Sequence, residues 1–368
     1  MLFSNASQET DNLYIQDINY LASNMGLDNW WDSTFYYSYK YALSFSAIPF
    51  LAHNFTKMVC AIYGLSKKVL VVDLDNTLWG GVIADDGLDS IKIGTDSPKG
   101  EMYLDIQKYI LELKDRGVTL AICSKNDYNN ASLGLGHKSN AIKESNFASI
   151  KANWEPKSQN IIDIENELNI GRDSFVFFDD NPAEREIVNQ HLPEIEVLEI
   201  GNRPELFLKI LDKNGYFEPI SIQQEDKARE QYYKDNKKRE KAVLDYHDYG
   251  SYLKSLAMQA EIKSFTEQHL NRISQLISKT NQFNLTTERF NIHAVKNFSV
   301  NNAYIDLYGH LKDKFGDNGL VSALVAETKS GEAHIVLWLM SCRVLKREFE
   351  LAMFDQLVEK CKKKNLNK

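Results

Sequence analysis

A short apolar run followed at once by carboxylates is the feature that most constrains how this chain folds. The residues Val69–Val72 are all apolar, and Asp73 and Asp75 come directly after them. An unbroken apolar run is typical of a parallel strand that is buried on both faces. Carboxylates at the carboxyl end of such a strand lie where open α/β sheets bind ligands. The D-x-D-x-T pattern, completed by Thr77, also arises by chance, so it is a hypothesis that needs support from its context.

The region that follows alternates short apolar runs with amphipathic segments. The predicted strands are residues 69–73, 118–123, 174–178 and 195–198, and the predicted helices are residues 100–115, 158–168 and 183–190. This alternation is typical of β-α-β units on a parallel sheet with right-handed crossovers. Near the end, residues 303–307, 320–328 and 334–340 are predicted to be antiparallel strands, and a terminal helix is expected from about Arg347. Asp317, Asn318 and Gly319 are predicted to form a turn.

Composition bounds the class of protein. With 368 residues, of which 43% are hydrophobic, the chain is long enough for two domains with separate cores. A net charge of −8 argues against a nucleic-acid partner. The polar start argues against a signal peptide, and no apolar run approaches the roughly 18 residues that span a bilayer. The four cysteines show no metal-ligand spacing, so we expect reduced thiols, a cytoplasmic location and no membrane partner.

The carboxylates fit phosphoryl transfer to an enzyme side chain. That reaction needs a nucleophile, a proton donor for the leaving oxygen, cations around the phosphate and a divalent metal. Asp73, the last residue of its predicted strand, is the candidate nucleophile that becomes an aspartyl-phosphate. Asp75 is the candidate general acid, and then the base that acts on the attacking water.

The other parts of such a site follow the other predicted strands. The candidate phosphate-binding residues are Thr77, Ser124, Lys125, Asn126 and Lys157. The candidate metal ligands are the carboxylates of Asp73, Asp75, Asp179 and Asp180. An oxygen-rich site of this kind suits Mg²⁺, which is the expected cofactor.

Several of these residues also have a structural alternative. The alternative for the carboxylates that end the strands is an ordinary role as surface or helix-capping residues. For Lys157 it is a solvated helix position, and for Ser124 it is the N-cap of the following helix. Asp180 fits a metal ligand and a hydrogen-bonding residue beside the metal equally well.

These motifs, in this order and at these strand ends, resemble the haloacid dehalogenase superfamily of phosphatases. The agreement extends to the FkbH-like family, over the stretches LVVDLDNTLWGGVIADDG, LAICSKND, NWEPKSQNI, LNIGRDSFVFFDDNPAEREIV and KTNQFNLTTERF. The resemblance covers most of the chain from about residue 10 to the end. It implies a class IIIC phosphatase domain with a Rossmann-like parallel sheet, followed by an α+β domain similar to GNAT acyltransferases. The short gaps between the motifs leave no room for a large cap.

The resemblance also implies a division of the chain. Residues 1–62 are expected to form a helical, aromatic-rich segment that packs on the core. Residues 63–220 are the expected phosphatase domain, residues 221–256 a charged helical connector, and residues 257–368 the expected acyltransferase domain.

The activity that the resemblance implies is acyl transfer coupled to phosphate release. A phosphorylated small-molecule donor, best matched by 1,3-bisphosphoglycerate, would lose phosphate, and its glyceryl group would pass to the thiol of a separate acyl carrier protein. Cys342 is the candidate acyl-carrying thiol, because Arg343 and Arg347 flank it and favour the thiolate. An equally good alternative is that Cys342 is a small buried residue without a chemical role. Cys123 is a weaker candidate than Cys342 for the acyl-carrying thiol.

Further residues of the second domain match the family pattern. The candidate acyl-binding or carrier-binding residues are Lys279, Asn281, Gln282, Asn284, Arg343 and Arg347. A polar helix end is the alternative for those from 279 to 284. Lys346 and Glu348 replace two glycines of the family motif, which puts the usual binding of a pantetheine or coenzyme A phosphate in doubt. Two other functions remain open: a phosphatase or acyl modifier in surface-glycan synthesis, and a carrier-binding module with a non-catalytic second domain.

Overall fold

The computed structural model describes residues 13–219, 245–280, 283–286 and 288–366, together with seven positions between 232 and 243. The described chain begins with the helices Ile18–Met25 (α1), Leu27–Trp30 (α2), Ser33–Tyr39 (α3) and Ala47–Ile62 (α4). They enclose a small apolar cluster that includes Leu21 and Trp30. The Lys57 ammonium of α4 lies 4.3 Å from the ring centroid of Tyr216, so this segment contacts the chain that follows the first sheet.

The first sheet is parallel throughout, as predicted. Its strands are Val69–Val72 (β1), Thr119–Ser124 (β2), Ser149–Ala152 (β3), Phe175–Phe178 (β4) and Glu196–Val197 (β5), in the order β3-β2-β1-β4-β5. Val72 is in register with Ile122 on one side and Phe178 on the other. The carboxyl ends of the three central strands therefore lie side by side, which brings the residues after them together.

Helices cover both faces of this sheet. They are Ile83–Asp86 (α5), Pro98–Asp115 (α6), Tyr128–Leu135 (α7), Lys157–Leu168 (α8), Pro182–His191 (α9) and Pro204–Lys213 (α10). Alternate residues of β1 enter two different cores: Leu70 and Val72 pack in one, and Val69 and Val71 in the other. Burial on both faces is the reason that this strand is apolar without a break.

One strand of the sheet, β3, was not predicted. The sequence of β3 is SIKA, which alternates in polarity and lies at the sheet edge, so it lacks the apolar run that marks a buried strand.

The connections between these strands are as short as expected. Only α5 and α6 lie between β1 and β2, and only α7 and a short 3₁₀ turn (Glu144–Asn146) lie between β2 and β3. No lid domain is inserted in either connection.

The second sheet is antiparallel and belongs to the later part of the chain. Its strands are Gln259–Lys263 (β6), Phe283–Asn284 (β7), Tyr304–Asp313 (β8), Gly316–Lys329 (β9) and Glu332–Met340 (β10), in the order β6-β8-β9-β10-β7. The accompanying helices are Tyr249–Ser255 (α11), Leu270–Lys279 (α12), Ile292–Val300 (α13) and Phe349–Lys363 (α14). Residues of α12 and α13 pack on one face of the sheet and residues of α14 on the other.

The predicted fold class, a parallel α/β sheet without a large cap followed by an α+β domain, is confirmed. Asp317, Asn318 and Gly319, which were predicted to form a turn, lie within β9, where the Asp317 carboxylate accepts the backbone N–H of Gly319 at 2.7 Å without a reversal of the chain. The chain reverses instead at residues 314–315, where the Asp313 carboxylate accepts the backbone N–H of Phe315 at 2.9 Å. An aspartate side chain that accepts the backbone N–H two residues on closes a turn in this way.

Most of the predicted connector lies outside the described residues. Its last part forms α11, whose N-cap Asp248 accepts the backbone N–H of Ser251. None of the described helices has both the length and the apolar character needed to cross a lipid bilayer.

Candidate active site

The site is built around the residue that follows β1. The backbone N–H of Asp73 donates to the carbonyl of Phe178, which extends the parallel ladder by one residue and fixes where the Asp73 side chain begins. The chain then turns sharply through Asn76, whose φ of 55° is left-handed. The Asn76 side chain accepts the backbone N–H of Gly81 at 2.9 Å, which closes the loop. Asp73 and Asp75 are thereby held on a rigid turn at the carboxyl edge of the sheet.

Lys157 lies in the middle of this carboxylate cluster. Its ammonium is 2.6 Å from Oδ2 of Asp179 and 3.0 Å from Oδ1 of Asp73, and all three side chains are buried. Burial acts to lower the pKa of Lys157, but the two carboxylates outweigh it and raise the pKa above its ordinary value. The lysine is therefore a permanent cation beside Asp73. The solvated alternative for this residue is wrong.

Three carboxylates form a possible cation site. Ligand oxygens of Asp73, Asp179 and Asp180 all lie within 4.8 Å of one another, the one such group found among the described residues. Asp180 is held by Thr77, whose hydroxyl donates to its Oδ1 at 3.2 Å and accepts its backbone N–H at 3.1 Å. Thr77 is thus a support for Asp180 in this structure.

The residues present fit a divalent metal. Burial, followed by the charge of Asp73, raises the pKa of both Asp179 and Asp180. The Lys157 ammonium, 3.0 Å from the buried Oδ1 of Asp73, balances only part of the charge of the three crowded carboxylates. Buried carboxylates that crowd one another are costly unless further positive charge joins them. All-oxygen ligands favour Mg²⁺.

Asp75 stands apart from that group. Its Oδ1 accepts the indole N–H of Trp79 at 2.8 Å and the backbone N–H of Ile83 at 3.1 Å, and its Oδ2 accepts an N–H of Asn126 at 3.0 Å. Burial raises the pKa of Asp75 above its usual range, which favours a carboxyl that can carry a proton. Asp75 was also predicted as a metal ligand, but its side chain lies outside the cluster of candidate ligand oxygens.

The residues after β2 take different positions. Ser124 is buried at the strand end, and its carbonyl accepts the backbone N–H of Asn153. The Lys125 ammonium is 2.6 Å from a Glu184 carboxylate, so this lysine is already paired. Asn126 is buried and contacts Asp75, as described above. Of the three, Asn126 is the one that the structure brings to the reacting carboxylates by a hydrogen bond.

Two further residues of this region were missed by the sequence analysis. Trp79 is fully buried and donates to Asp75, whereas an apolar residue after a strand suggests only core packing. Gln107 of α6 is also fully buried and donates to the Leu78 carbonyl at 2.9 Å and to Asn140 at 2.7 Å. The only signal in the sequence is a polar residue on the apolar face of a predicted helix, between Tyr103 and Ile110.

Cys123 does not have the surroundings of a reactive thiol. It lies within β2 with its side chain fully buried, in the core on the side of α8. Burial raises the pKa of this thiol far above its usual range, and the nearby Lys157 does not offset that effect. A thiol kept protonated in an apolar core is inert as a nucleophile, which agrees with its low rank.

In the second domain, Arg347 is directed into the protein. Its guanidinium donates to Oδ2 of Asp313 at 3.0 Å and to the carbonyl of Arg343 at 2.6 Å, and the side chain is buried. Arg343 donates to the Ser341 hydroxyl at 3.0 Å and lies 4.3 Å from the Tyr232 ring centroid. Arg347 thus contributes to the internal structure of the domain.

The other candidate residues of that domain are described only in part. Asn284 lies in β7, paired with Leu339 of β10. Asn281 and Gln282 lie outside the described residues, as do the side chains of Lys279 and Cys342. The backbone of Cys342 begins a 3₁₀ turn, Cys342–Val344, one residue after the end of β10. The role predicted for Cys342 therefore stays a prediction.

Searches against family models and against curated proteins find no match for this chain. The chain is similar to a crystal structure of the N-terminal part of the protein BF1531 from Bacteroides fragilis, which contains a phosphatase domain complexed with Mg. The identity is 36%, the TM-score is 0.58, and the match covers 60% of this chain and 59% of that one. The chain thus spans somewhat more than half of the solved structure.

A second solved structure, the ribosomal-protein-S18-alanine N-acetyltransferase from Escherichia coli, is far less similar. The identity is 10% and the TM-score is 0.24, over 29% of this chain and 63% of that one. A TM-score this low does not establish a common fold. The comparisons therefore relate this chain to a phosphatase domain and leave the second domain to be judged on its own residues.

Proposed function

We propose that this chain is a Mg²⁺-dependent phosphatase of the haloacid dehalogenase type, which works through an aspartyl-phosphate on Asp73. The observation that carries the proposal is the buried cluster in which Lys157 lies 3.0 Å from Asp73 and 2.6 Å from Asp179. The likeness to a phosphatase domain complexed with Mg supports the same chemistry. No capping role explains a buried lysine between two buried aspartates.

The residues suggest a division of labour in two steps. A carboxylate oxygen of Asp73 attacks phosphorus, the bond from phosphorus to the leaving oxygen breaks, and Asp75 gives that oxygen its proton. A water molecule then attacks the aspartyl-phosphate, Asp75 takes a proton from it, and inorganic phosphate leaves as the Asp73 carboxylate is restored. Lys157 lies where it would balance charge on the phosphate throughout both steps.

Asp73, Asp179 and Asp180 would hold the metal. When bound, Mg²⁺ would neutralise part of the charge on the phosphate oxygens. The fit rests on the three crowded carboxylates, whose charge Lys157 alone does not balance.

The open site bears on the substrate. Because neither connection around the site holds a lid domain, the phosphate-bearing end of a large or carrier-bound substrate has access. This agrees with the resemblance to FkbH-like proteins, from which we propose 1,3-bisphosphoglycerate as donor and a separate acyl carrier protein as acceptor. Acyl transfer through Cys342 is proposed on that resemblance alone.

The test measures phosphate release and acyl loading together. Wild-type protein, Asp73→Asn and Cys342→Ala are incubated with Mg²⁺ and with 1,3-bisphosphoglycerate generated in place. Phosphate release and intact protein mass are then recorded. We expect release that depends on Asp73 and a glyceryl adduct that is absent from Cys342→Ala. Release without an adduct would retain the phosphatase and remove the thioester. Release that is undiminished in Asp73→Asn would overturn the proposal.

A matched control is Asp105→Asn. Asp105 is an exposed residue of α6 that pairs only with Lys108 at 3.0 Å, so the same substitution there leaves the site intact. It should release phosphate at the wild-type rate.

A further inference from the structure

The two oxygens of the Asp75 carboxylate have unequal surroundings. Oδ1 accepts two hydrogen bonds, from the Trp79 indole at 2.8 Å and from the Ile83 backbone at 3.1 Å. Oδ2 accepts one, from the Asn126 side chain at 3.0 Å. A carboxylate oxygen has two lone pairs in the plane of the group, so those of Oδ1 are both used and Oδ2 keeps one free. A proton carried by Asp75 therefore binds to Oδ2.

We propose that Trp79 is a positioning residue, which together with the Ile83 backbone assigns the transferable proton of Asp75 to Oδ2. The inference rests on the proposed phosphatase function. In the first step the proton on Oδ2 passes to the leaving oxygen as its bond to phosphorus breaks. In the second step the same oxygen receives a proton from the attacking water. Without the indole N–H, a lone pair of Oδ1 becomes free and the proton can bind to the wrong oxygen.

The packing around the indole indicates that its place is fixed. Trp79 is fully buried, in the same core as Ile83. A Cβ added at Gly134 would lie 2.7 Å from the indole Cη2 and 2.8 Å from Cζ2, closer than real Cβ contacts come. Helix α7 thus rests directly on the indole, and a glycine is required at the point of contact. A ring held this tightly keeps its N–H aimed at Asp75.

A positioning role for Trp79 predicts a specific dependence on the leaving group. Proton donation matters when the leaving group is a poor one, such as an alkyl alcohol, and matters little for p-nitrophenol. We therefore expect Trp79→Phe to lower kcat/KM for an alkyl phosphate by about 10- to 100-fold, the range in which a misplaced catalytic group acts. For p-nitrophenyl phosphate we expect a loss below about threefold, because the acid contributes little there. kcat/KM is the correct quantity, since it does not include hydrolysis of the phosphorylated enzyme.

Two variants separate positioning from simple loss of packing. Trp30→Phe removes the same ring volume from a buried tryptophan in the N-terminal cluster, which takes no part in the site, and should leave both substrates unaffected. Gly134→Ala keeps the indole but pushes it aside, and should give the same dependence on the leaving group as Trp79→Phe. It also provides the test if Trp79→Phe does not fold. In an Asp75→Asn background, which stalls after the first step, Trp79→Phe should change the ratio of the rates at which the two substrates phosphorylate the enzyme no further.

The outcomes distinguish the inference from the proposed function. A wild-type protein that hydrolyses neither substrate in an Asp73-dependent way would remove the phosphatase itself. With Asp73-dependent hydrolysis present, equal losses for both substrates in Trp79→Phe and Gly134→Ala would reduce Trp79 to a packing residue. An unchanged alkyl phosphatase activity in folded Trp79→Phe would equally overturn the positioning role.

Discussion

The Lys157 ammonium lies 3.0 Å from Oδ1 of Asp73, and both side chains are buried. The same ammonium donates to Asp179 at 2.6 Å, so one cation faces two carboxylates in the protein interior. Such a cluster is held together by its charges, and each member leaves the others uncompensated when it is removed. Stability and chemistry at this site are therefore linked.

Replacement of Lys157 should lower both the stability of the protein and its phosphatase activity. Lys157→Met is expected to lower the free energy of unfolding by about 3 kcal/mol, as for other broken buried pairs. It should also lower phosphatase activity by about 100-fold or more, as loss of a key stabilising charge does. Urea unfolding and phosphate release measure the two effects. Lys151→Met, in the half-buried pair with Glu167, should cost less than about 1 kcal/mol. Equal effects of the two substitutions would contradict this account of the cluster.

Metal binding should be visible without turnover. Because a ligand that binds only the folded state stabilises it by mass action, Mg²⁺ at 100 times its Kd should add about 2.7 kcal/mol to the free energy of unfolding. Differential scanning calorimetry in Mg²⁺ and in chelator measures this gain. It should vanish in Asp179→Asn and persist in Asp163→Asn, whose side chain accepts a hydrogen bond from Gln159 on α8. A gain that persists in Asp179→Asn would place the metal elsewhere.

The buried amide of Gln107 should matter for stability well away from the reacting groups. It donates to Leu78 and Asn140, and its carbonyl oxygen accepts the backbone N–H of Ala141 at 2.9 Å. Gln107→Leu leaves these groups unsatisfied in the core and should cost about 2 to 4 kcal/mol in the free energy of unfolding, measured in urea. Gln190→Leu, at an exposed glutamine of α9 that contacts only Glu186, should change it by less than about 0.5 kcal/mol. A loss confined to Gln190→Leu would refute the role of this network.

The second domain should lose stability in acid through Asp313. Burial acts to raise the pKa of this carboxyl, but hydrogen bonding and charge from Arg239, followed by Arg347, hold it below its usual value. The stabilising contribution is therefore complete above the unfolded pKa of about 3.9 and is lost as the pH falls through the lower folded value. Asp313→Asn should thus destabilise the protein at pH 7 and much less near pH 2, measured by thermal unfolding.

The control for that comparison lies in the same hairpin. Asp317→Asn alters an exposed carboxylate that pairs with His310 and accepts the backbone N–H of Gly319, a bond that the asparagine oxygen can keep, and should have a small effect at both pH values. A destabilisation by Asp313→Asn that is the same at pH 7 and pH 2 would show that the ion pairs contribute nothing.

Much of the first domain could be predicted because the signals for its strands lie in short stretches of the sequence. An unbroken apolar run reports a strand buried on both faces, and residues that follow parallel strands must meet at one edge of the sheet. Asp73, Asp179 and Lys157 could therefore be brought together from their places along the chain. The edge strand β3 could not, since its SIKA sequence is only partly buried and carries no apolar run.

What the sequence could not predict depends on contacts between distant segments. Trp79 looks like a core residue until the structure shows that its N–H contacts Asp75. Arg347 donates to the carboxylate of Asp313, a residue 34 positions earlier in the chain, which nothing in the sequence indicates. The chain reverses at residues 314–315, beside Asp313, and the sequence indicated a turn a few residues later. Each of these depends on hydrogen-bond partners that no periodicity or spacing reports.

The most direct test of the central claim is to trap the phosphorylated enzyme. Asp75→Asn should react with p-nitrophenyl phosphate, which needs little proton donation, and then stall because no base activates water. After acid quenching, tandem mass spectrometry of the peptide that begins at Val69 should locate phosphate on Asp73. The adduct should be absent from the double variant that carries Asp73→Asn as well as Asp75→Asn. Steady phosphate release with no phosphate on Asp73 at any time would contradict the account.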